Sequence, residues 1–260
     1  MLTVISPAKT LDLISEVTDQ APSQPQFIDQ AAKLAKAAAK LKPSKIKQLM
    51  HISDALSELN AARFKAFALP FTSENARPAI RTFAGDVYIG FNGATLEPDG
   101  LAFAQAHLRI LSGLYGVLRP LDLMQPYRME MKTRFGVGKA KTLYEFWGAQ
   151  IAEALAADLS VHHDTTLINL ASNEYFAAVK TARLPGPVIT PTFREWRGSS
   201  LKFNSFAAKR ARGSMARYIC DNRIDRPDGL RDFARDGYRF EPSLSDEGQF
   251  SFVRDAAGEA

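Results

Sequence analysis

The residues most clearly suited to a chemical function lie between Ser205 and Arg217. This segment contains four basic side chains and no acidic one. With about 100° between successive residues of a helix, the four cations share one broad face. A helix divided in this way buries its apolar side and presents concentrated positive charge to an anion. We therefore predict a helix over 207–219 that binds phosphate or nucleic acid through its basic residues, Lys209, Arg210, Arg212 and Arg217.

The alternative for this segment is a charged helix face that is merely solvated. Solvated faces usually mix signs, because Glu–Lys pairs four residues apart support the helix. Here no acidic residue follows the four cations until Asp221, which favours a binding surface.

A second group of candidate residues lies in the segment 112–130, which combines glycines with arginines, tyrosines and carboxylates. Arg119 and Arg128 suit an oxyanion, because the guanidinium fork matches phosphate geometry. Alternatively, the two arginines form a buried network with Asp122 and Glu130 that holds a loop in place. The sequence leaves both interpretations open.

Carboxylates near these cations raise the possibility of an enzyme. Glu174 follows a buried strand predicted over 166–170, a position where open α/β sheets often place ligands. Phosphate binding alone does not need carboxylates, whereas acid–base catalysis does. If the protein is an enzyme, its catalytic candidates are therefore Asp122, Glu130 and Glu174. For Glu174 the alternative is a place in the first turn of a helix capped by Ser172.

Lys9 follows a predicted first strand over 2–5, which invites comparison with a phosphate-binding loop. The surrounding residues lack the glycines of that motif, so nucleotide hydrolysis is poorly supported. Pairing of Lys9 with Asp12 is the simpler alternative.

Two helices predicted over 44–50 and 54–67, with Ser53 as the cap of the second, resemble a helix–hairpin–helix. Such motifs hold DNA phosphates with backbone N–H groups, and Lys45 and Lys47 flank the hairpin suitably. The hairpin lacks glycine, however, and Asp54 puts negative charge where a phosphate would sit. An ordinary pair of antiparallel helices is the alternative.

Composition and the remaining motifs narrow the classes of function. The formal net charge of +5 is compatible with a nucleic-acid or phosphate partner. The four histidines show no metal-ligand spacing with cysteine or carboxylates, so we predict no metal site and no cofactor. Direct iron sequestration lacks its ligand pattern for the same reason. The single cysteine, Cys220, excludes an internal disulfide and fits a reducing cytosol.

Strands alternate with helices along the chain, which predicts a mixed α/β (α+β) fold with a mixed sheet surrounded by helices. Besides the elements above, we predict a strand over 85–90 and helices over 101–111 and 142–159. We expect a single domain over 1–254 and a frayed tail over 255–260. No apolar run reaches the length of about 18–20 residues that a membrane helix needs, and no signal peptide is evident, so a cytoplasmic protein is expected.

Four motifs carry a family resemblance: 5–12 (Ile-Ser-Pro-Ala-Lys-Thr-Leu-Asp), 111–128, 168–176 (Ile-Asn-Leu-Ala-Ser-Asn-Glu-Tyr-Phe) and 208–213. In this order they resemble the YaaA family of peroxide stress proteins. The resemblance implies a cytoplasmic bacterial protein of the hydrogen peroxide response that limits the damage done by unincorporated iron to DNA and protein. It also implies a DNA-binding fold with a basic cleft and a helix–hairpin–helix element, and no established catalytic activity.

Carried onto this chain, the resemblance assigns the basic cleft to Lys9, Arg119, Arg128, Lys209, Arg210, Arg212 and Arg217, and the hairpin to residues near 44–55. The expected partner is duplex or branched DNA, bound largely without regard to sequence. Cys220 lies outside the shared motifs, so peroxide sensing by its thiol is not expected. The rival hypothesis is an enzyme that acts on a phosphorylated or nucleic-acid substrate in the same cleft.

Overall fold

The computed structural model describes residues 1–17 and 22–256 of the chain. Its strands are β1 (Leu2–Ile5), β2 (Thr10–Leu11), β3 (Arg77–Pro78), β4 (Phe83–Ala84), β5 (Leu108–Ser112), β6 (Gly116–Leu118), β7 (Leu123–Met124), β8 (Leu167–Leu170), β9 (Val188–Arg197), β10 (Ser200–Lys202), β11 (Arg239–Phe240) and β12 (Gln249–Asp255). Its α-helices are α1 (Ile28–Ala38), α2 (Pro43–Met50), α3 (Asp54–Ala66), α4 (Ala79–Thr82), α5 (Asp86–Phe91), α6 (Pro98–His107), α7 (Leu143–Trp147), α8 (Gln150–Ser160), α9 (Asn173–Phe176) and α10 (Ser205–Asp221).

A mixed sheet forms the centre of the molecule, in the order β11-β12-β9-β8-β1-β5-β6 with β10 paired to β9. The strands from β12 to β5 run parallel, and β11, β10 and β6 are antiparallel to their neighbours. Every residue of β1, β5 and β8 is buried, as expected for parallel strands covered on both faces. The fold is a single mixed α/β domain, in agreement with the predicted fold class.

Helices α5 and α10 cross at very short range. A Cβ added to Gly213 would lie 2.7 Å from the carbonyl carbon of Val87 and 2.8 Å from the backbone N of Phe91, and closer still to the Val87 oxygen. A Cβ on Gly90 would likewise meet the backbone of Arg210. Glycine at these two positions therefore lets the backbones touch, which fixes α10 against α5.

Several predicted elements differ from those observed. The segment predicted as a strand over 85–90 is helix α5, in which Val87, Tyr88 and Phe91 are buried at helical spacing. Packing against α10 outweighs the strand preference of its β-branched and aromatic residues. The helix predicted over 142–159 is broken at Gly148, whose φ of 52° separates α7 from α8.

Other boundaries also moved. The helix predicted over 101–111 ends at His107, and the chain continues directly as the buried strand β5. Strand β12 extends to Asp255, and residues 257–260 of the predicted tail lie outside the described residues. Within the described ranges, no helix has the length and apolar composition that a membrane crossing requires.

Candidate functional site

The loops that follow β1 and β8 meet at the carboxyl-terminal edge of the sheet. The backbone N–H of Ser172 donates to Ser6 Oγ at 2.9 Å, and the hydroxyl of Tyr88 donates to the carbonyl of Ser6 at 3.1 Å. Because β1 and β8 are adjacent and parallel, both loops open on the same side, where open α/β sheets bind ligands.

Helix α10 brings three of the predicted cations to this edge. Asn204 caps the helix by accepting hydrogen bonds from the backbone N–H groups of Phe206 and Ala207. Lys209 and Arg210 are exposed, and Arg212 is half-buried. Their side chains form no ion pair with any residue in 1–17 or 22–256. Burial lowers the pKa of Arg212, the expected response of a cation that loses solvent without gaining a partner.

A cavity of about 410 Å³ lies between α10 and the two loops. Its ionisable lining includes both signs of charge: Lys9, Asp86, Glu130, Glu174, Tyr175, Lys209 and Arg212. A neighbouring cavity shares Asp86 with it and is lined by Arg210 and the exposed ring of Phe206. The cations of α10 are therefore distributed over the linings of two adjacent cavities.

Glu130 is the most buried carboxylate of the cavity, with a side chain only 9% exposed. Its Oε1 atom lies 3.4 Å from Lys9 Nζ and 3.1 Å from a terminal nitrogen of Arg128. Its Oε2 atom is buried and has no hydrogen-bond partner among the described residues. The structure thus places Lys9, Arg128 and Glu130 together. The pairing of Arg128 with Glu130 matches the buried network that was the alternative for this segment.

Glu174 also faces this cavity, in the first turn of α9. Its carboxylate accepts a hydrogen bond from the backbone N–H of Lys132 and lies 3.7 Å from Lys132 Nζ. Ser172 is the N-cap residue of this helix, but its side chain makes no capping hydrogen bond. The capping alternative for this segment is therefore met only in part.

Arg119 and Asp122 lie away from the cavity and bind each other. Asp122 is 1% exposed and accepts hydrogen bonds from the side chain and backbone N–H of Arg119 and from Ser23 Oγ. The structure therefore realises the loop-holding network that was the alternative for this pair. It does not bring Asp122 to Glu130 and Glu174.

Arg217 also has an internal role. Its guanidinium donates to the carbonyls of Asn92 and Thr95 at 2.7 and 2.9 Å, and pairs with Asp221 at 2.7 Å. These carbonyls follow the end of α5, so Arg217 ties that helix end to α10. We therefore leave Arg217 out of the candidate site.

In the segment of the predicted hairpin, the chain forms helices α2 and α3. His51 between them lies in the left-handed region, and Ser53 accepts a hydrogen bond from the backbone N–H of Leu56. Lys47 Nζ lies 2.8 Å from Asp54, so this cation is already paired. Lys45 bonds to Gln48 and stays exposed. The capping prediction for Ser53 is confirmed.

Two site residues escaped sequence reasoning. Asp86 lies in the segment for which the sequence predicts a strand. An acidic residue directly after Gly85 also fits the first turn of a helix, which is its place in α5. Phe206 is 70% exposed and lies on the basic face of α10, with Lys209 Nζ 5.5 Å from its ring centroid. Its position three residues before Lys209 places both on one helix face, a signal that the sequence contains.

Cys220 is buried, and burial raises the pKa of its thiol to about 12, with a smaller effect from Asp221. Across residues 1–17 and 22–256, no three His, Cys, Asp or Glu side chains are grouped closely enough to hold a metal ion.

Comparison with known proteins gives the family. A family model described as peroxide stress protein YaaA matches residues 1–244. A UPF0246 protein of Hahella chejuensis is 49% identical over 255 residues, which cover 98% of this chain and 100% of the relative. A UPF0246 protein of Alteromonas mediterranea is 48% identical over 259 residues, which cover 100% of each chain. The chain therefore belongs to the family of the peroxide stress protein YaaA.

Proposed function

We propose that this protein binds DNA in the cytoplasm during hydrogen peroxide stress and so limits iron-mediated oxidative damage to DNA and protein. The observation that carries the proposal is the set of basic side chains on α10 with no internal ion-pair partner among the described residues, Lys209, Arg210 and Arg212. Family membership supplies the link to peroxide stress.

The physical basis is neutralisation of phosphates. Each Lys or Arg that contacts a phosphate releases a condensed counterion, so binding weakens steeply with salt and depends little on sequence. Together with Lys9, the α10 cations form the basic cleft of this proposal. Phe206 adds an exposed ring on which an unpaired base of a branched substrate can stack.

Fluorescence anisotropy of labelled duplex, single-stranded and branched DNA across a salt series tests the proposal. Replacing Lys209, Arg210 and Arg212 together with Ala removes three phosphate contacts, which lowers the slope of log K against log salt by about 2.7 for duplex DNA. An unchanged affinity and slope would exclude this face as the contact.

A matched control removes the same charge elsewhere. Lys180 and Arg183 are exposed in the connection that enters β9, and Arg226 is exposed near Asp164, which precedes β8. None of these three residues lines the cavity or its neighbour beside α10. Their triple Ala variant should bind DNA with nearly the wild-type salt slope.

The α2–α3 hairpin is the second proposed contact with DNA. This contact is tested by changing the charge at the turn between α2 and α3, where Asp54 pairs with Lys47. If DNA phosphates approach this turn, Asp54→Asn strengthens binding and Lys45→Ala weakens it. Equal affinities for both variants and the wild type would remove the hairpin from the interface.

A second candidate is an enzyme that acts on a phosphorylated or nucleic-acid substrate in the same cleft. It is favoured by one observation: Glu130 and Glu174 line the cavity that Lys9, Lys209 and Arg212 also line. Carboxylates beside phosphate-binding cations can transfer protons to or from a reacting group. The test is product formation from end-labelled duplex, single-stranded and branched DNA, with Glu130→Gln as the inactive variant. Absence of any product from these substrates would count against it.

A further inference from the structure

One carboxylate oxygen of Glu130 lacks a hydrogen-bond partner among the described residues. The Glu130 side chain is nine-tenths buried, and both its cationic neighbours, Lys9 and Arg128, contact Oε1. The buried Oε2 atom accepts no hydrogen bond from the described residues. A buried carboxylate oxygen without a donor is costly. Because Glu130 lines the cavity, a small shift of its side chain would let this atom accept a hydrogen bond from a group that enters.

A second wall of the same cavity, formed by α10, has the complementary property. Lys209 and Arg212 line it from α10, and neither has an ion-pair partner among the described residues. Arg212 is also half-buried, which increases the strength of its attraction for an anion. This side of the cavity is suited to a phosphate group.

A ligand that satisfies both walls carries a phosphate at one end and hydrogen-bond donors at the other. The volume of about 410 Å³ falls within the usual range of small-molecule pockets, about 300–1,000 Å³. Pro7, Ala84 and Val87 also line the cavity, and their apolar surface suits a sugar or a base.

We propose that this cavity binds a single nucleotide unit, with its phosphate on Lys209 and Arg212 and a sugar hydroxyl or base N–H donating to Glu130 Oε2. The inference rests on the proposed DNA binding, because the same helix continues from this cavity to Arg210 in the neighbouring one. The unit is either a free nucleotide or a nucleotide turned out of a DNA strand.

The free-nucleotide arm is a calorimetric titration of the full-length protein at low salt with dAMP, deoxyadenosine and inorganic phosphate. We expect dAMP to bind more tightly than either fragment. The informative pair is Lys209→Gln and Arg210→Gln, because both side chains are exposed neighbours on α10 but only Lys209 lines this cavity. The first variant should weaken dAMP binding about tenfold or more, and the second should leave it nearly unchanged.

The Glu130→Gln variant distinguishes the contributions that the two ends of the ligand make to binding. It removes the carboxylate acceptor, so dAMP should bind more weakly, while inorganic phosphate should bind as well as before or better. If inorganic phosphate binds the wild type as tightly as dAMP does, the cavity is a simple anion site and the nucleotide assignment is wrong.

The DNA arm uses a duplex with 2-aminopurine at a mismatch, whose fluorescence rises when the base leaves the stack. The signal is compared at protein concentrations that saturate the duplex by anisotropy, because both variants remove a proposed phosphate contact. A rise per bound duplex that Lys209→Gln abolishes and Arg210→Gln retains identifies a nucleotide within DNA. Binding of dAMP without such a rise identifies a free nucleotide, and either result supports the inference.

Anisotropy with the same duplex keeps the two proposals apart. In one outcome the wild-type protein binds the duplex but gives no heat with dAMP and no rise in 2-aminopurine fluorescence. This result overturns the proposal that the cavity binds a nucleotide and leaves the proposed function standing. Absence of DNA binding overturns the proposed function, and the dAMP titration then decides the cavity on its own.

Discussion

Replacing Gly213 with Ala should destabilise the protein, although alanine is the better helix former. The new Cβ would lie 2.7 Å from the carbonyl carbon of Val87 and 2.8 Å from the backbone N of Phe91. Both neighbours are backbone atoms of α5, so no flexible side chain can move aside. Overpacking of this kind costs up to about 3 kcal/mol. The higher helix propensity of alanine relative to glycine offsets about 1 kcal/mol of this cost.

The expected loss in the free energy of unfolding is therefore about 2 kcal/mol, which lowers the thermal midpoint by about 4–8 °C in a protein of this size. Differential scanning calorimetry or thermal circular dichroism measures it. Gly248→Ala is the matched control, because its Cβ would meet nothing closer than 3.7 Å. A midpoint for Gly213→Ala equal to or above that of the wild type would refute the close crossing of α5 and α10. The DNA affinity should fall as well, since α10 carries Lys209 and Arg212.

Two further predictions follow from perturbed side chains. Because burial raises the pKa of Cys220 to about 12, its thiol should react with Ellman's reagent only after unfolding, and rapid labelling of the native protein would contradict this. Burial first, and the neighbouring His107 second, lower the pKa of His162 from 6.5 to about 4. The unfolded chain then binds the proton more readily, so the free energy of unfolding is greatest above pH 6.5 and falls as the pH drops towards 4. Urea unfolding at about pH 7 and about pH 4.5 should show a smaller difference for His162→Gln than for the wild type. An equal difference would show that His162 does not contribute.

Two central strands of the sheet could be predicted, because parallel strands buried on both faces read as short apolar runs. The runs at 2–5 and 166–170 have this character, and they became β1 and β8. The segment 85–90 could not be assigned correctly, because its helix depends on contact with α10, more than a hundred residues later. Local sequence does not contain that contact.

The candidate site was predictable in its residue types and less so in its grouping. The basic face of α10 follows from helical periodicity, and on it Lys209 and Arg210 are exposed whereas Arg212 is half-buried. Arg217 has the same periodicity, but its guanidinium donates to the carbonyl of Asn92 at the end of α5. Asp122 forms an ion pair with Arg119. Whether an arginine or carboxylate is free depends on partners that are distant in sequence, and that information arises only when the chain has folded.

The position of β1 in the sheet also has a consequence for synthesis of the protein. Within the described part of the chain this strand pairs only with β5 and β8, which begin at Leu108 and Leu167. At about 5–20 residues per second, the first partner emerges on the order of 10 s after β1. During that time an apolar strand has both edges open, the condition that favours association with other chains. Slow codons between these two strands should lengthen that interval and lower the soluble yield without changing any residue.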